Sequence, residues 1–185
     1  MKIGTVVFLL CFLCSVTVFA QSTSSGMWNV GVGAEVGIPM GDFNNYSSVG
    51  FGGMGTVGYV VDQNLTVTGK VGYMTFSGKD QTITILGHST TVSGGSVSVI
   101  PVLVGARYFF MPPADMRVYG SADVGIYNIN NGGGTKFGFA PALGAQFKAG
   151  DNMKVDVHAD YTYISTDVIT TTWLGIGVGL VFDLK

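Results

Sequence analysis

From Met153 to Tyr163 the chain alternates without interruption: Met153, Val155, Val157, Ala159, Tyr161 and Tyr163 are separated by Lys154, Asp156, His158, Asp160 and Thr162. Successive side chains of an extended chain point to opposite faces, so this stretch is a strand with one apolar and one charged face. Such a strand needs an apolar medium on one side and water or charged partners on the other. Whether the apolar side looks into a soluble core or out into lipid is decided by the rest of the chain.

Seven further stretches repeat the pattern. The first sets Trp28, Val30, Val32, Ala34, Val36 and Ile38 against Asn29, Gly31, Gly33, Glu35 and Gly37, and ends at Pro39 and Gly41. The second, about 49–61, shows Phe51, Val57 and Tyr59 against Gly50, Gly52, Met54 and Thr56. After a turn at Asp62, Gln63 and Asn64, the third presents Leu65, Val67, Val71 and Tyr73 opposite Thr66, Thr68 and Lys70. A polar loop runs to about Ser96, and the fourth strand then carries Ile100, Val102, Val104, Ala106 and Tyr108 opposite Leu103, Gly105 and Arg107. The fifth sets Val118, Ala122, Val124 and Ile126 against Tyr119, Ser121, Asp123 and Tyr127. The sixth sets Phe137, Phe139, Leu143, Ala145 and Phe147 against Lys136, Gly138, Ala140, Gln146 and Lys148. The last strand follows the Met153–Tyr163 stretch and puts Leu174, Ile176, Val178, Leu180 and Phe182 opposite Gly175, Gly177, Gly179 and Asp183.

Every charged residue in these strands falls on one face, and the other face has none. A soluble sandwich would crowd Lys and Glu on that charged face, yet here it is mostly Gly, Ser, Thr and Ala. Only 11% of the 185 residues are charged, and the mean hydropathy is +0.45, so water is not the main solvent expected for the apolar face. Small inward residues suit a narrow closed barrel, and strands of roughly ten residues match the length needed to cross a bilayer at a tilt. The expectation is an all-β, eight-stranded antiparallel up-and-down transmembrane β-barrel with no helix beyond residue 20. Connections one, three, five and seven read as the longer, external ones and the others as short periplasmic turns. Trp28 then lies at the periplasmic end, and the loops at Gly41, Gly87, Gly133 and Thr170 lie outside. Trp28, Tyr59, Tyr73, Tyr108, Phe110, Phe137, Phe147, Tyr163, Trp173 and Phe182 lie near strand ends, where aromatic girdles meet the interfaces. Pro101 and Pro141 fall inside strands and cannot donate to a ladder, so bulges are expected there, or strand ends beyond the bilayer. An arginine at outward Val157 should obstruct insertion more than one at inward Thr162.

Residues 1–20 have Lys2, an apolar run through Val6, Val7, Phe8, Leu9 and Leu10, and small residues at Val18 and Ala20. This reads as a secretory signal peptide, followed by a barrel domain over 21–185. A retained anchor helix is the rival, weakened by the short run. Both cysteines, Cys11 and Cys14, lie inside this segment behind Leu10 and Leu13, which fits neither a disulfide nor a lipid-acceptor cysteine. The net charge of −2 without a basic run gives no footprint for nucleic acid.

Four segments carry a family likeness: Gly37-Ile38-Pro39-Met40-Gly41-Asp42-Phe43, Val71-Gly72-Tyr73-Met74-Thr75-Phe76, Gly105-Ala106-Arg107-Tyr108-Phe109-Phe110, and the glycine-alternating last strand. In these the chain resembles the small eight-stranded outer-membrane barrels of the OmpA, OmpX and opacity-protein kind, within the broad outer membrane protein beta-barrel domain family. It differs in ending Phe182-Asp183-Leu184-Lys185 instead of on an aromatic residue, and no peptidoglycan-binding domain is expected. The resemblance implies a monomer in a bacterial outer membrane, surrounded by lipid and inserted by the barrel-assembly machinery.

The candidate site is the set of inward charges Glu35, Lys70, Arg107, Asp123, Asp156, His158 and Asp160. An eight-stranded barrel is just wide enough for its own side chains, so these charges should pair and fill it. A narrow gated path, in which a pair such as Glu35 and Arg107 switches partners, is the sharper alternative. Acyl-transferring or proteolytic barrels need a histidine beside a serine and an acid, or paired carboxylates. His158 is followed by Ala159 and Asp160, while His88 and Ser89 sit in a loop, so no catalytic residue is expected. Two separate histidines and no cysteine beyond residue 20 give little support to a metal, and no cofactor is implied. Gly132–Gly134 is followed by no helix and reads as a loop, not a phosphate cradle. The 80–95 segment could rise above the membrane as a hairpin that captures an extracellular ligand or a partner strand; a plain solvated hairpin is the simpler reading.

Overall fold

A computed structural model describes residues 26–85, 88–130, 132–165 and 170–184. The segment read as a signal peptide lies outside the described residues. Ten strands follow in chain order: β1 (Trp28–Met40), β2 (Ser47–Val60), β3 (Leu65–Gly78), β4 (Gln81–Ile85), β5 (His88–Val92), β6 (Val97–Phe109), β7 (Met116–Ile129), β8 (Gly134–Lys148), β9 (Met153–Ile164) and β10 (Thr171–Leu184). Eight of them close into an antiparallel up-and-down barrel in the order β1-β10-β9-β8-β7-β6-β3-β2. The seam is complete: β1 pairs β10 from Trp28 opposite Leu184 to Met40 opposite Thr172. Among the described residues one helical turn, α1 (Phe43–Tyr46), interrupts the strands, which corrects the expectation of no helix beyond residue 20.

The wall follows the sequence period. Val32, Phe51, Val71, Val104, Leu143 and Val178 are among the large apolar side chains left exposed on the outer face. Glu35, Arg107, Asp123, Asp156 and Asp160 are buried inside. That inversion is stable only if lipid covers the wall. Ring pairs mark both rims: Trp28 with Tyr59 at 5.1 Å and Tyr108 with Phe110 at 5.9 Å at one end, Phe139 stacked on Tyr163 at 5.2 Å at the other. Trp173 does not join the girdle. It occupies the inward parity of β10, is 2% exposed and packs 5.2 Å from Phe76.

The connections correct one expectation. At the end bearing the termini, Asp62 Oδ1 accepts bonds from the Asn64 and Leu65 amides at 2.7 and 2.8 Å and fixes a tight turn. At the opposite end the fifth connection, between β7 and β8, is as short as that turn, because Gly132 and Gly134 take positive φ of 85° and 67°. Length asymmetry is carried mainly by the third connection, where β4 and β5 pair as a separate hairpin from Gln81 opposite Val92 to Ile85 opposite His88.

Neither proline makes a bulge. Around Pro101 the β3–β6 register passes from Val71–Val102 to Met74–Val99 with the intervening rungs unpaired and no shift. Around Pro141 the β8–β9 register passes likewise from Phe139–Tyr163 to Ala142–Asp160. Each proline keeps its place on the other neighbour, opposite Tyr127 and Ala122 respectively. A missing N–H removes a bond on one side only, and the second neighbour holds the strand in line.

Thr162 is also not the permissive inner position expected. It is buried, and its hydroxyl donates to Asp160 Oδ2 at 2.9 Å, so an arginine there would overfill the lumen. The cleaner contrast is between the lipid wall and the turn end. Val157→Arg, in the middle of β9, should lower unfolding free energy in refolded vesicles by about 2–4 kcal/mol, whereas Ala149→Arg at the exposed turn should cost about 0–1 kcal/mol. Urea titration followed by tryptophan emission measures both, and equal losses would refute the face assignment.

Candidate functional site: the charged interior

β9 delivers Asp156, His158 and Asp160 to the lumen on alternate residues, opposite Gly179, Gly177 and Gly175 of β10. Across the seam Glu35 of β1 also faces Gly177, so Glu35, Gly177 and His158 share one rung across three strands. Neighbouring strands lie about 4.8 Å apart, and Glu35 and His158 reach each other over the middle strand because it has no side chain there.

The seven predicted residues divide into linked groups. Lys70 Nζ lies 2.8 Å from Asp123 Oδ2, and Thr68 donates to Asp123 Oδ1 at 3.2 Å. Asp156 is the most heavily coordinated: Tyr119 Oη and Gln146 Nε2 donate to it at 2.9 and 3.0 Å, and Arg107 pairs with it at 3.2 Å. The Arg107 guanidinium also lies 4.1 Å above the Tyr119 ring. His158 Nδ1 completes the group, 2.9 Å from Asp156 Oδ1. A carboxylate accepts only, so in the neutral ring this bond puts the proton on Nδ1 and leaves the Nε2 lone pair free.

The pair of Glu35 with Arg107 is not formed; Arg107 is held by Asp156. Glu35 instead gathers with His158 and Asp160, one ligand atom from each lying within 4.8 Å of the others. Among the described residues no lysine or arginine ion-pairs with either carboxylate. Among the described residues the hydrogen-bond partner of the His158 ring is Asp156. The His88 and Ser89 side chains lie outside the described residues.

Sequence reasoning did not find the plug above this polar zone. Phe43, carried by α1, enters the barrel mouth with its ring 5.0 Å from Phe76, and Trp173 and Tyr127 continue the layer at 6.1 Å. Met74, Val99, Leu103 and Ile164 are buried in the same cluster. Phe43 ends the Gly37–Phe43 motif singled out above, so the signal was present without an assignment. Below the plug, a cavity of about 60 Å³ is lined by Glu35, Lys70, Asp123, Asp156, His158 and Asp160 among others.

The outer membrane protein beta-barrel domain family model matches residues 6–182. The chain belongs to that family. As a family barrel it resides in the outer membrane, and its fold recurs at low identity. Neisserial surface protein A is 17% identical with a TM-score of 0.61, over 88% of this chain and all of that one. OprG of Pseudomonas aeruginosa is 12% identical at 0.61, covering 86% of this chain and 96% of that one. Ail of Yersinia pestis, solved in complex with the heparin analogue sucrose octasulfate, is 18% identical at 0.52, over 85% and 99%. No curated protein matches.

Removing the central carboxylate tests the network of the family barrel. Asp156→Asn should leave buried Arg107 uncompensated and cost about 3–5 kcal/mol. Lys154→Ala, which breaks the more exposed 2.6 Å pair with Asp183, should cost under about 1 kcal/mol. Denaturation midpoints in detergent micelles would show the difference.

Proposed function

We propose that this barrel is a closed bacterial wall protein that does not conduct. It acts in membrane integrity or surface interaction through the end bearing the β4–β5 hairpin, which is directed outward. It works as a monomer in outer-membrane lipid after insertion by the barrel-assembly machinery, and performs no catalysis. The observation that carries this reading is the layer of Phe43, Phe76, Tyr127 and Trp173, buried with Ile164 and Val99 across the hairpin end. A hydrated ion crossing such a layer would leave its water without replacement ligands. The charges below are paired across strands, which suits a lumen that braces its wall. Ail was crystallised with a sulfated ligand, a precedent for capture by a barrel of this fold.

The narrow-path reading keeps one observation in its favour, the 60 Å³ cavity with charges of both signs around it. That volume holds a few waters, and the ring layer lies between it and the hairpin end.

Planar-bilayer recording separates the two. The wild-type barrel and Arg107→Ala should both be silent, while Phe76→Ala with Trp173→Ala, which removes two rings of the plug, should produce discrete openings. Steady openings of the wild type that change with Arg107→Ala would overturn the closed reading.

A further inference from the structure

We propose that Glu35, His158 and Asp160 form a binding site for one borderline divalent cation of the Zn²⁺ class, bridging β1 and β9 across the β10 seam. Three observations converge on it. One ligand atom from each residue lies within 4.8 Å of the others, and ligands of a tetrahedral zinc are roughly 3.3 Å apart, so modest side-chain rotation closes the set. Asp160 is 9% exposed, and its Oδ2 accepts the Thr162 hydroxyl while its Oδ1 is buried with no hydrogen-bond partner. An orphaned carboxylate oxygen in a lumen costs free energy unless a cation or donor meets it.

The third observation is the orientation of the histidine. Asp156 receives His158 Nδ1 at 2.9 Å, and Asp156 is itself fixed by Tyr119, Gln146 and Arg107. A carboxylate that holds one ring nitrogen and aims the other is the outer shell that metal-bound histidines require. The free Nε2 borders Gly177, and a methyl group on Gly177 would overlap it; one on Gly175 would overlap Asp160 Oδ1 and lie 2.7 Å from Glu35 Oε1. The ligand atoms therefore share a pocket floored by bare backbone, and the adjoining cavity offers space for a water in a fourth position.

Charge agrees with this assignment. Lys70 is committed to Asp123 at 2.8 Å and Arg107 to Asp156 at 3.2 Å, which leaves the Glu35 and Asp160 carboxylates facing one imidazole. Two carboxylates and an imidazole favour zinc and its transition-metal neighbours over Mg²⁺ or Ca²⁺, which take oxygen ligands. In the sequence alone a metal has little support, because these ligands come from positions 35, 158 and 160 and meet only when the barrel closes.

The test uses the full chain, refolded in detergent, in a background of His88→Gln, Cys11→Ser and Cys14→Ser so that no imidazole or thiolate lies outside the site. Calorimetric titration with Zn²⁺ should show one ion per chain, Mg²⁺ should not compete, and Co²⁺ should give the visible absorption of a low-symmetry four-coordinate ion. His158→Gln and Asp160→Asn should each weaken Zn²⁺ binding by more than about 100-fold, since loss of even an outer-shell partner costs about 10- to 100-fold. Glu35→Gln adds a check on a purely structural role. It should raise the urea midpoint of the metal-free barrel by relieving the facing carboxylates, and abolish the further rise that Zn²⁺ gives the parent. Heat-shifted electrophoretic migration confirms folding of each variant, and the three substitutions are independent. The proposal is overturned by a folded parent that takes up no zinc, or by zinc uptake unchanged in the folded variants.

Discussion

Hydrocarbon offers a backbone nothing to bond with, and the rest of this structure follows from that. Each N–H and C=O at membrane depth must find a partner within the protein, and a sheet achieves this only by eliminating its edges. The thirteen-residue ladder between β1 and β10 is the step that does so. Once the sheet closes, its inner faces converge on a narrow lumen, and polar residues largely withdrawn from water pair with one another. The network around Asp156 is thus a consequence of closure: Arg107, Tyr119, Gln146 and His158 come from four strands to one carboxylate.

The lumen is divided along its axis. Rings and aliphatic groups from α1, β3, β6, β7, β9 and β10 fill the hairpin end, while charges fill the zone beneath. Most polar groups pair among themselves and the apolar groups pack together, but the Tyr127 hydroxyl and Trp173 Nε1 in the ring layer, and Arg107 Nε and Asp160 Oδ1 in the charged zone, are buried without a partner. Phe43 illustrates the economy of the arrangement, since one helical turn suffices to insert a ring into the mouth.

Much of this was legible because strand parity is a local property. Val157 outward and Asp156 inward follow from the alternation alone, and the glycine-rich inner face pointed to a narrow barrel. What was not legible depends on distances between strands. Arg107 chooses Asp156 over Glu35 through register and side-chain reach, neither of which sequence spacing encodes. Trp173 looked like a girdle residue because it is aromatic and near a strand end, yet its parity matches Gly175 and placed it inside. Pro101 and Pro141 were expected to make bulges or to lie beyond the bilayer; no bulge forms, since a strand in a closed barrel is held from two sides. The loop at Gly132 to Gly134 was recognised but read as one of the longer connections, because its tightness rests on two positive φ angles that residue type alone does not dictate.

The inward face of β10 carries Gly175, Gly177 and Gly179 in succession, between Trp173 at one end and, at the other, Val181 and Asp183, the latter paired to Lys154. Along its middle that face carries no side chain of its own, and the room is taken by groups from the strands on either side, His158 over Gly177 and Asp160 with Glu35 over Gly175. Its own polar and aromatic side chains stand near its two ends, a ring that seats in the plug and a carboxylate that meets a lysine. The seam strand is thus a recessed panel, whose bare middle lends its volume to the charged groups of the two strands it joins.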